Sequence, residues 1–308
     1  MSFLTVCLNP TLQKTLLFPS VVPGTVNRTG SHRLDVSGKG INVSRVLTQL
    51  GEKVTHLTQL GGVMRPLFLS LCKDDSLNAE WVESDSQIRF CYTLITEADG
   101  HVTELVEESE PVGAETGSRL LEKFDALLPG YGCLIISGTK AAGFPDSIIP
   151  EMVQRAKKRG MTVILDIRGK DLTKSLCYSP DIIKPNLYEF ALTFAPDLVK
   201  GNVLADDDCA VKARVRTLSM ELCKKYRCRI IVTRGSQPVW AAGDDFFEVP
   251  CTAVQPLNST GSGDTFTAGF ASAIENGADF SAAIAEGIRC GALNTRCFKP
   301  GVIEEPSF

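Results

Sequence analysis

Cys133-Leu134-Ile135-Ile136, a helical run near 146–159, then Thr162-Val163-Ile164-Leu165-Asp166: this stretch decides the fold class. Two short, nearly continuous apolar segments read as strands buried on both faces, and the helix between them is the crossover that parallel strands require. The alternation continues downstream with a strand at Asp181-Ile182-Ile183, helices over 187–195 and 207–226, and a strand at Arg229-Ile230-Ile231-Val232. Two helices, roughly 263–276 and 280–296, close the chain. The pattern predicts an α/β fold with a mostly parallel central sheet covered on both faces. Within it, Asp206-Asp207-Asp208 reads as a solvated helix N-terminus, where the helix dipole favours acidic side chains.

Upstream, Gly38-Lys39-Gly40 opens a segment whose apolar residues Val43, Val46, Leu47 and Leu50 recur at helical spacing until Gly51 stops it. The opening Met1 to Leu8 reads as a first buried strand and carries no cationic leader. Residues 11–36, with Pro19, Pro23 and Gly24, predict short strands and turns. Residues 88–96 and 101–106 alternate as two strands about an Asp99-Gly100 hairpin turn. Both regions predict a small β flap beside the main sheet. No repeat, low-complexity tract or linker marks a second unit, so one domain over 1–308 is expected.

Composition bounds the function. Hydrophobic residues make up 44% and charged residues 22%, as in ordinary globular chains, and no run reaches the roughly 18 apolar residues of a membrane span. No membrane partner is expected. A formal charge of −4 argues against a general nucleic-acid surface, which needs a dense basic footprint. The eleven cysteines, an odd number with no CxxC pair, read as reduced thiols of a cytoplasmic protein. With His32, His56 and His101 scattered, no zinc site is predicted.

The chemistry concentrates in Thr260-Gly261-Ser262-Gly263-Asp264-Thr265-Phe266-Thr267-Ala268-Gly269-Phe270. Two glycines permit a tight turn that aims backbone N–H groups at one point, and the positive end of the following helix adds to it, giving an anion site. Preorganised donors of this kind lower the barrier to phosphoryl transfer. The carboxylate of Asp264 at the same spot can take a proton from an attacking hydroxyl. On these residues alone, a helix-capping role for Asp264 stays open.

Further motifs run in order along the chain: Leu8-Asn9-Pro10, Gly24-Thr25-Val26-Asn27-Arg28, Gly38-Lys39-Gly40-Ile41-Asn42-Val43, Lys184-Pro185-Asn186-Leu187-Tyr188-Glu189, Val232-Thr233-Arg234-Gly235 and Gly261-Ser262-Gly263-Asp264. Together they resemble the phosphofructokinase B family of carbohydrate kinases, with its ribokinase-like three-layer α/β/α fold. The 1-phosphofructokinase and tagatose-6-phosphate kinase branch is the nearest in flavour. The resemblance implies an ATP-dependent, Mg²⁺-requiring kinase with Asp264 as base and Gly261, Ser262 and Gly263 forming the anion hole. It implies that Asn186 and Glu189 hold Mg²⁺, largely through water, that Lys184 approaches the nucleotide phosphates, and that Thr233, Gly235, Gly291 and Asn294 border the nucleotide. A capping pair at Asn186 and Glu189 is the alternative, and both can hold together. Gly38, Lys39, Gly40, Asn42, Arg89 and Thr139 would meet the sugar, Arg89 by offering a guanidinium fork to a phosphate. The resemblance also implies a lid, from about 11–36 and 88–108, that closes over the sugar and pairs two subunits into a homodimer.

The pattern departs at the sugar. Gln13 stands where the family usually has an Asp, and a phosphate-facing arginine is replaced near Glu104, whose carboxylate would repel a phosphate if it points inward. Lys140, in Ser137-Gly138-Thr139-Lys140-Ala141-Ala142-Gly143-Phe144-Pro145, and Arg65 are unusual cations, read either as substitutes for that arginine or as surface charges. Fructose 1-phosphate, giving fructose 1,6-bisphosphate, is the leading substrate. Tagatose 6-phosphate, an unphosphorylated sugar or nucleoside, and a silent sugar or nucleotide sensor are the alternatives.

Overall fold

The computed structural model describes residues 1–200, 203–204 and 208–304, so Asp206 and Asp207 of the acidic run lie outside the described residues. In chain order the first half contains β1 (Ser2–Val6), β2 (Thr11–Phe18), β3 (His32–Ser37), α1 (Lys39–Gln49), β4 (Lys53–Gly61), α2 (Arg65–Asp74), β5 (Ala79–Ser84), β6 (Arg89–Thr96), β7 (Val102–Val106), α3 (Thr116–Leu127) and β8 (Cys133–Ser137). The second contains α4 (Ile148–Lys158), β9 (Thr162–Asp166), α5 (Gly169–Ser175), β10 (Ile182–Ile183), α6 (Leu187–Phe194), β11 (Val199–Lys200), β12 (Val203–Leu204), α7 (Asp208–Tyr226), β13 (Arg229–Arg234), β14 (Gln237–Ala242), β15 (Phe246–Val249), α8 (Ser262–Glu275) and α9 (Phe280–Thr295).

The main sheet runs β15-β14-β13-β10-β9-β8-β1-β4-β5. The strands from β13 through β5 are parallel, and β14 and β15 add an antiparallel edge. Alternation along the central strands explains the layering. Leu134 and Ile136 of β8 pack with Phe124, Met152 and Phe190 on one face, whereas Cys133 and Ile135 pack with Val43, Val46, Phe270 and Ile284 on the other. The result is a three-layer α/β/α fold, as the strand pattern predicts, with α1, α8 and α9 together on one side.

Some strands escape a pattern reading. Lys53–Gly61 buries Thr55, His56, Thr58 and Gln59, so its polar letters hide a core strand. Most of those groups find partners inside: Thr5 Oγ1 meets His56 Nδ1 at 2.8 Å, and Thr58 Oγ1 donates to the Cys7 carbonyl at 2.7 Å, while His56 Nε2 is buried without a partner.

A separate four-stranded sheet, ordered β3-β2-β6-β7, forms from the two segments read as a flap. Gln13 on β2 pairs in register with Asp35 on β3 and Cys91 on β6, and Thr93 on β6 pairs with Glu104 on β7. Leu12 and Val36 tie it to Ile41 and Phe68 beneath. Among the described residues, no helix is long and apolar enough to cross a membrane.

Candidate active site

Parallel sheets place their chemistry at the carboxyl ends of the strands, and here those ends converge on one cavity of about 650 Å³. Asp166 ends β9, Lys184 and Asn186 follow β10, and Thr233 lies near the end of β13. Asn186 and Thr233 sit side by side as a parallel bridge. Gly38, Lys39 and Asn42 from the start of α1, Gly261, Gly263 and Asp264 from the start of α8, and Gln13, Arg89 and Glu104 from the small sheet complete the wall.

The turn before α8 has the geometry of an anion site. Gly261 adopts φ +81°, and a Cβ there would lie 2.9 Å from the Gly301 amide nitrogen, so only glycine fits. A Cβ on Gly263 would meet only Lys184 Nζ, at 3.9 Å, so its absence bares the backbone to the cavity. The Ser262 amide donates to the Ser259 carbonyl and that of Thr265 to the Gly261 carbonyl, while Gly263 and Asp264 N–H have no backbone acceptor among the described residues.

Asp264 is buried and receives a hydrogen bond from Asn42 Nδ2 at 2.8 Å. Asn42 cannot turn away, because its Oδ1 accepts from Arg45 at 2.9 Å and from Ser37 Oγ at 3.3 Å. Burial pushes the Asp264 carboxyl up to about 7; Lys39 opposes the rise and the Asp166 charge adds to it. An acid poised there can exchange a proton near neutrality.

A charge cluster faces it. Lys39 Nζ lies 3.2 Å from Asp166 Oδ1 and 3.0 Å from Glu189 Oε1, and Lys184 Nζ lies 3.2 Å from Asp166 Oδ2. Burial alone would lower the Lys39 ammonium, but the attraction of Asp166, Glu189 and Asp264 raises it above the usual lysine value. Asp166 is held below the ordinary carboxylate value because Lys184 and Lys39 overcome its burial. Asn186 and Glu189 form a complete capping box on α6: Asn186 Oδ1 accepts from the Glu189 amide at 2.8 Å, and Glu189 Oε2 accepts from the Asn186 amide at 3.0 Å.

Three carboxylates, Asp166, Glu189 and Asp264, thus confront two ammonium groups, Lys39 and Lys184. The surplus of negative charge and the all-oxygen donor set suit a hard divalent cation. Among the described residues, no three acidic, His or Cys side chains stand close enough to cage one. An ion bound here would keep much of its water, which fits Mg²⁺.

On the opposite wall, Gln13 Nε2 donates to Thr93 Oγ1 at 2.7 Å, and Arg89 donates to the Glu107 carbonyl at 2.9 Å while its Nε is buried with no partner. Glu104 points inward, as the sequence warned, and its Oε1 accepts from Thr260 Oγ1 at 3.0 Å.

Several expected residues stand elsewhere. Gly40 packs against Cys7 and His56, Thr139 is exposed and accepts from Asn9, and Gly235 lies in open space. Ser262 and Gly291 meet where α8 crosses α9. Asn294 is buried behind the turn, accepting from Thr265 Oγ1 at 2.8 Å and from the Gly301 amide at 3.2 Å. Lys140 pairs with Asp171 in a mostly buried ion pair and Arg65 with Glu83, and neither cation lines the cavity. Asp166 was not singled out as a site residue by sequence; the signal available was a carboxylate at the C-terminal end of an apolar strand in a parallel sheet.

The sequence profile of the pfkB family of carbohydrate kinases matches residues 12–305. Among solved structures, phosphofructokinase-2 of Escherichia coli in its tetrameric inhibited form superimposes with a TM-score of 0.82 at 22% identity, over 95% of this chain and 93% of that one. A possible 1-phosphofructokinase of Thermotoga maritima gives 0.83 at 22% identity over 99% and 94%. Ribokinase of the same organism gives 0.72 at 15% identity over 97% and 94%. At these identities the superpositions establish the fold.

Proposed function

We propose that this chain, which belongs to the pfkB family of carbohydrate kinases, transfers the γ-phosphoryl group of MgATP to a hydroxyl of a ketohexose phosphate, with fructose 1-phosphate as the leading substrate. The observation that carries the reading is the placing of Asp264: a buried acid near pKa 7 in one cavity with a bare glycine turn, and facing Lys39, Asp166, Lys184 and Glu189.

Each residue then has a task. Asp264 accepts the proton of the acceptor hydroxyl as its oxygen attacks phosphorus, and Asn42 holds the carboxylate in line. The amides of Gly263 and Asp264 stabilise charge on the moving phosphoryl group. Lys184 and Lys39 offset the phosphate charge, while Asp166, Glu189 and Asn186 would hold Mg²⁺ largely through water. Bound Mg²⁺ would neutralise phosphate charge and orient the phosphate chain. Arg89, with an unpartnered buried Nε, supports a phosphate on the acceptor sugar. The small sheet acts as a lid that excludes water, a competing acceptor. Buried thiols such as Cys7, Cys72 and Cys133 suit a cytoplasmic setting. A second reading, an unphosphorylated sugar, is favoured by the neutral Gln13 and the inward carboxylate of Glu104.

Asp264→Asn tests the core of this. The variant is expected to fold, to bind ATP and to lose roughly 10²- to 10⁴-fold in kcat. Below about pH 7 the wild-type kcat/KM should fall about tenfold per pH unit as Asp264 takes up its proton. Near-normal turnover by the variant would remove Asp264 as the base.

A further inference from the structure

We infer that Glu104 is the specificity-determining hydroxyl acceptor of the sugar site, a role resting on the kinase reading above. The position expected to supply a carboxylate, residue 13, holds a neutral glutamine whose amide nitrogen is committed to Thr93 Oγ1 at 2.7 Å. Its strand neighbour Asp35 cannot substitute. Arg33 grips both Asp35 carboxylate oxygens, at 2.6 and 2.9 Å, and Lys299 stands 3.5 Å away.

Glu104 is the carboxylate that the small sheet presents to the cavity. It sits directly across the ladder from Thr93, whose partner on β2 is Thr15; Gln13, one pleat away on β2, reaches Thr93 diagonally through its side chain, so Gln13, Thr93 and Glu104 adjoin on one face of β2, β6 and β7. Among the described residues no ion pair involves its side chain, and one oxygen is tied by the Thr260 hydroxyl. Oε2 is left to accept from a ligand. A carboxylate without a cation repels phosphate and accepts readily from sugar hydroxyls, as hydrogen bonds to charged acceptors are stronger than neutral ones.

Arg89 lies four residues from Thr93 along β6, about 13 Å in an extended strand. The wall is therefore polarised. A phosphate carried by the sugar belongs at the Arg89 end, and the hydroxyls adjoining the reacting one belong at the Glu104 end, beside the Thr260-Gly261 turn. The substrate class is a polyol with no anionic group at the end that receives the phosphoryl group.

Calorimetric binding of fructose 1-phosphate and of fructose tests this without turnover. Glu104→Gln is expected to weaken both ligands by about tenfold to a hundredfold and to leave MgATP binding within about twofold of wild type. Glu104→Arg should shift the preference toward the phosphorylated ligand by at least about tenfold. Thr260→Val, which removes only the tie, should weaken the sugars far less than Glu104→Gln. Unchanged sugar binding in both Glu104 variants, or a Thr260→Val loss equal to that of Glu104→Gln, would overturn the assignment. So would failure of both ligands to bind the wild-type chain. Sugar binding that depends on Glu104 without any ATP turnover would instead refute the kinase reading and leave this one standing.

Discussion

At Asp264 the fold removes a carboxyl group from water, and that burial, opposed by Lys39 and the Asn42 amide, has a cost that varies with pH. The folded value of about 7 lies above the ordinary 3.8 expected of the unfolded chain. Between these values the folded state holds the proton more tightly, so the stabilisation from that proton is full below about 3.8, declines as pH rises, and is lost above about 7. Asp264→Asn removes the titration. It is expected to exceed the wild type in stability by about 1–4 kcal/mol at pH 8 and to match it closely at pH 4. Denaturant unfolding at the two pH values measures the difference, and equal stabilities at pH 8 would mean that the carboxyl is not desolvated. The motif around this residue was legible in the sequence because the turn, the helix start and the acid are contiguous. Asp166 was not, since it ends an ordinary apolar strand and meets Lys39 from 127 residues away only through the order of the sheet. Lys39, read toward the sugar, does line the shared cavity, and its partly exposed ammonium is held there by Asp166 and Glu189.

Among the elements, α6 shows how one helix start serves two purposes. Asn186 and Glu189 satisfy each other's backbone amides, yet both line the cavity, and Glu189 Oε1 also receives Lys39. Capping and ligand contact separate experimentally through Asn186→Ser, because serine caps a helix about as well as asparagine but lacks the amide. The variant should stay within about 0.5 kcal/mol of wild-type stability while the KM for MgATP rises about tenfold. A large loss of stability with an unaltered KM would assign Asn186 to capping alone. The helices α1, α4, α6, α7, α8 and α9 and the strands β1, β8, β9, β10 and β13 were readable because their periodicity follows from burial on one stripe or on both faces, whereas α2, α3 and α5 were not assigned. The strand Lys53–Gly61 was not, because its buried His56 and Gln59 carry polar letters whose partners lie elsewhere in the chain: Thr5 for His56 and Ser84 for Gln59.

For the whole molecule, the small sheet ends on β7, an edge strand that carries exposed apolar side chains, and an unpaired edge of this kind is a template for another strand. Leu105 on β7 is 54% exposed and faces away from the cavity, whereas its neighbour Val106, 53% exposed, alternates to the other face and lines the cavity. An exposed leucine on an unpaired edge strand is costly in water and is relieved when a second copy covers it. The homodimer expected from the family resemblance would use this edge, placing one subunit's lid against the other's. Sedimentation equilibrium should then give a dimer of the 33.3 kDa chain. Leu105→Lys puts a solvated charge on the edge without touching the core, so it should shift the equilibrium toward monomer by at least about tenfold while the unfolding midpoint of the monomer moves little. A dimer that survives Leu105→Lys unchanged would place the contact on another face, and a wild-type monomer at micromolar concentration would end the lid-pairing proposal.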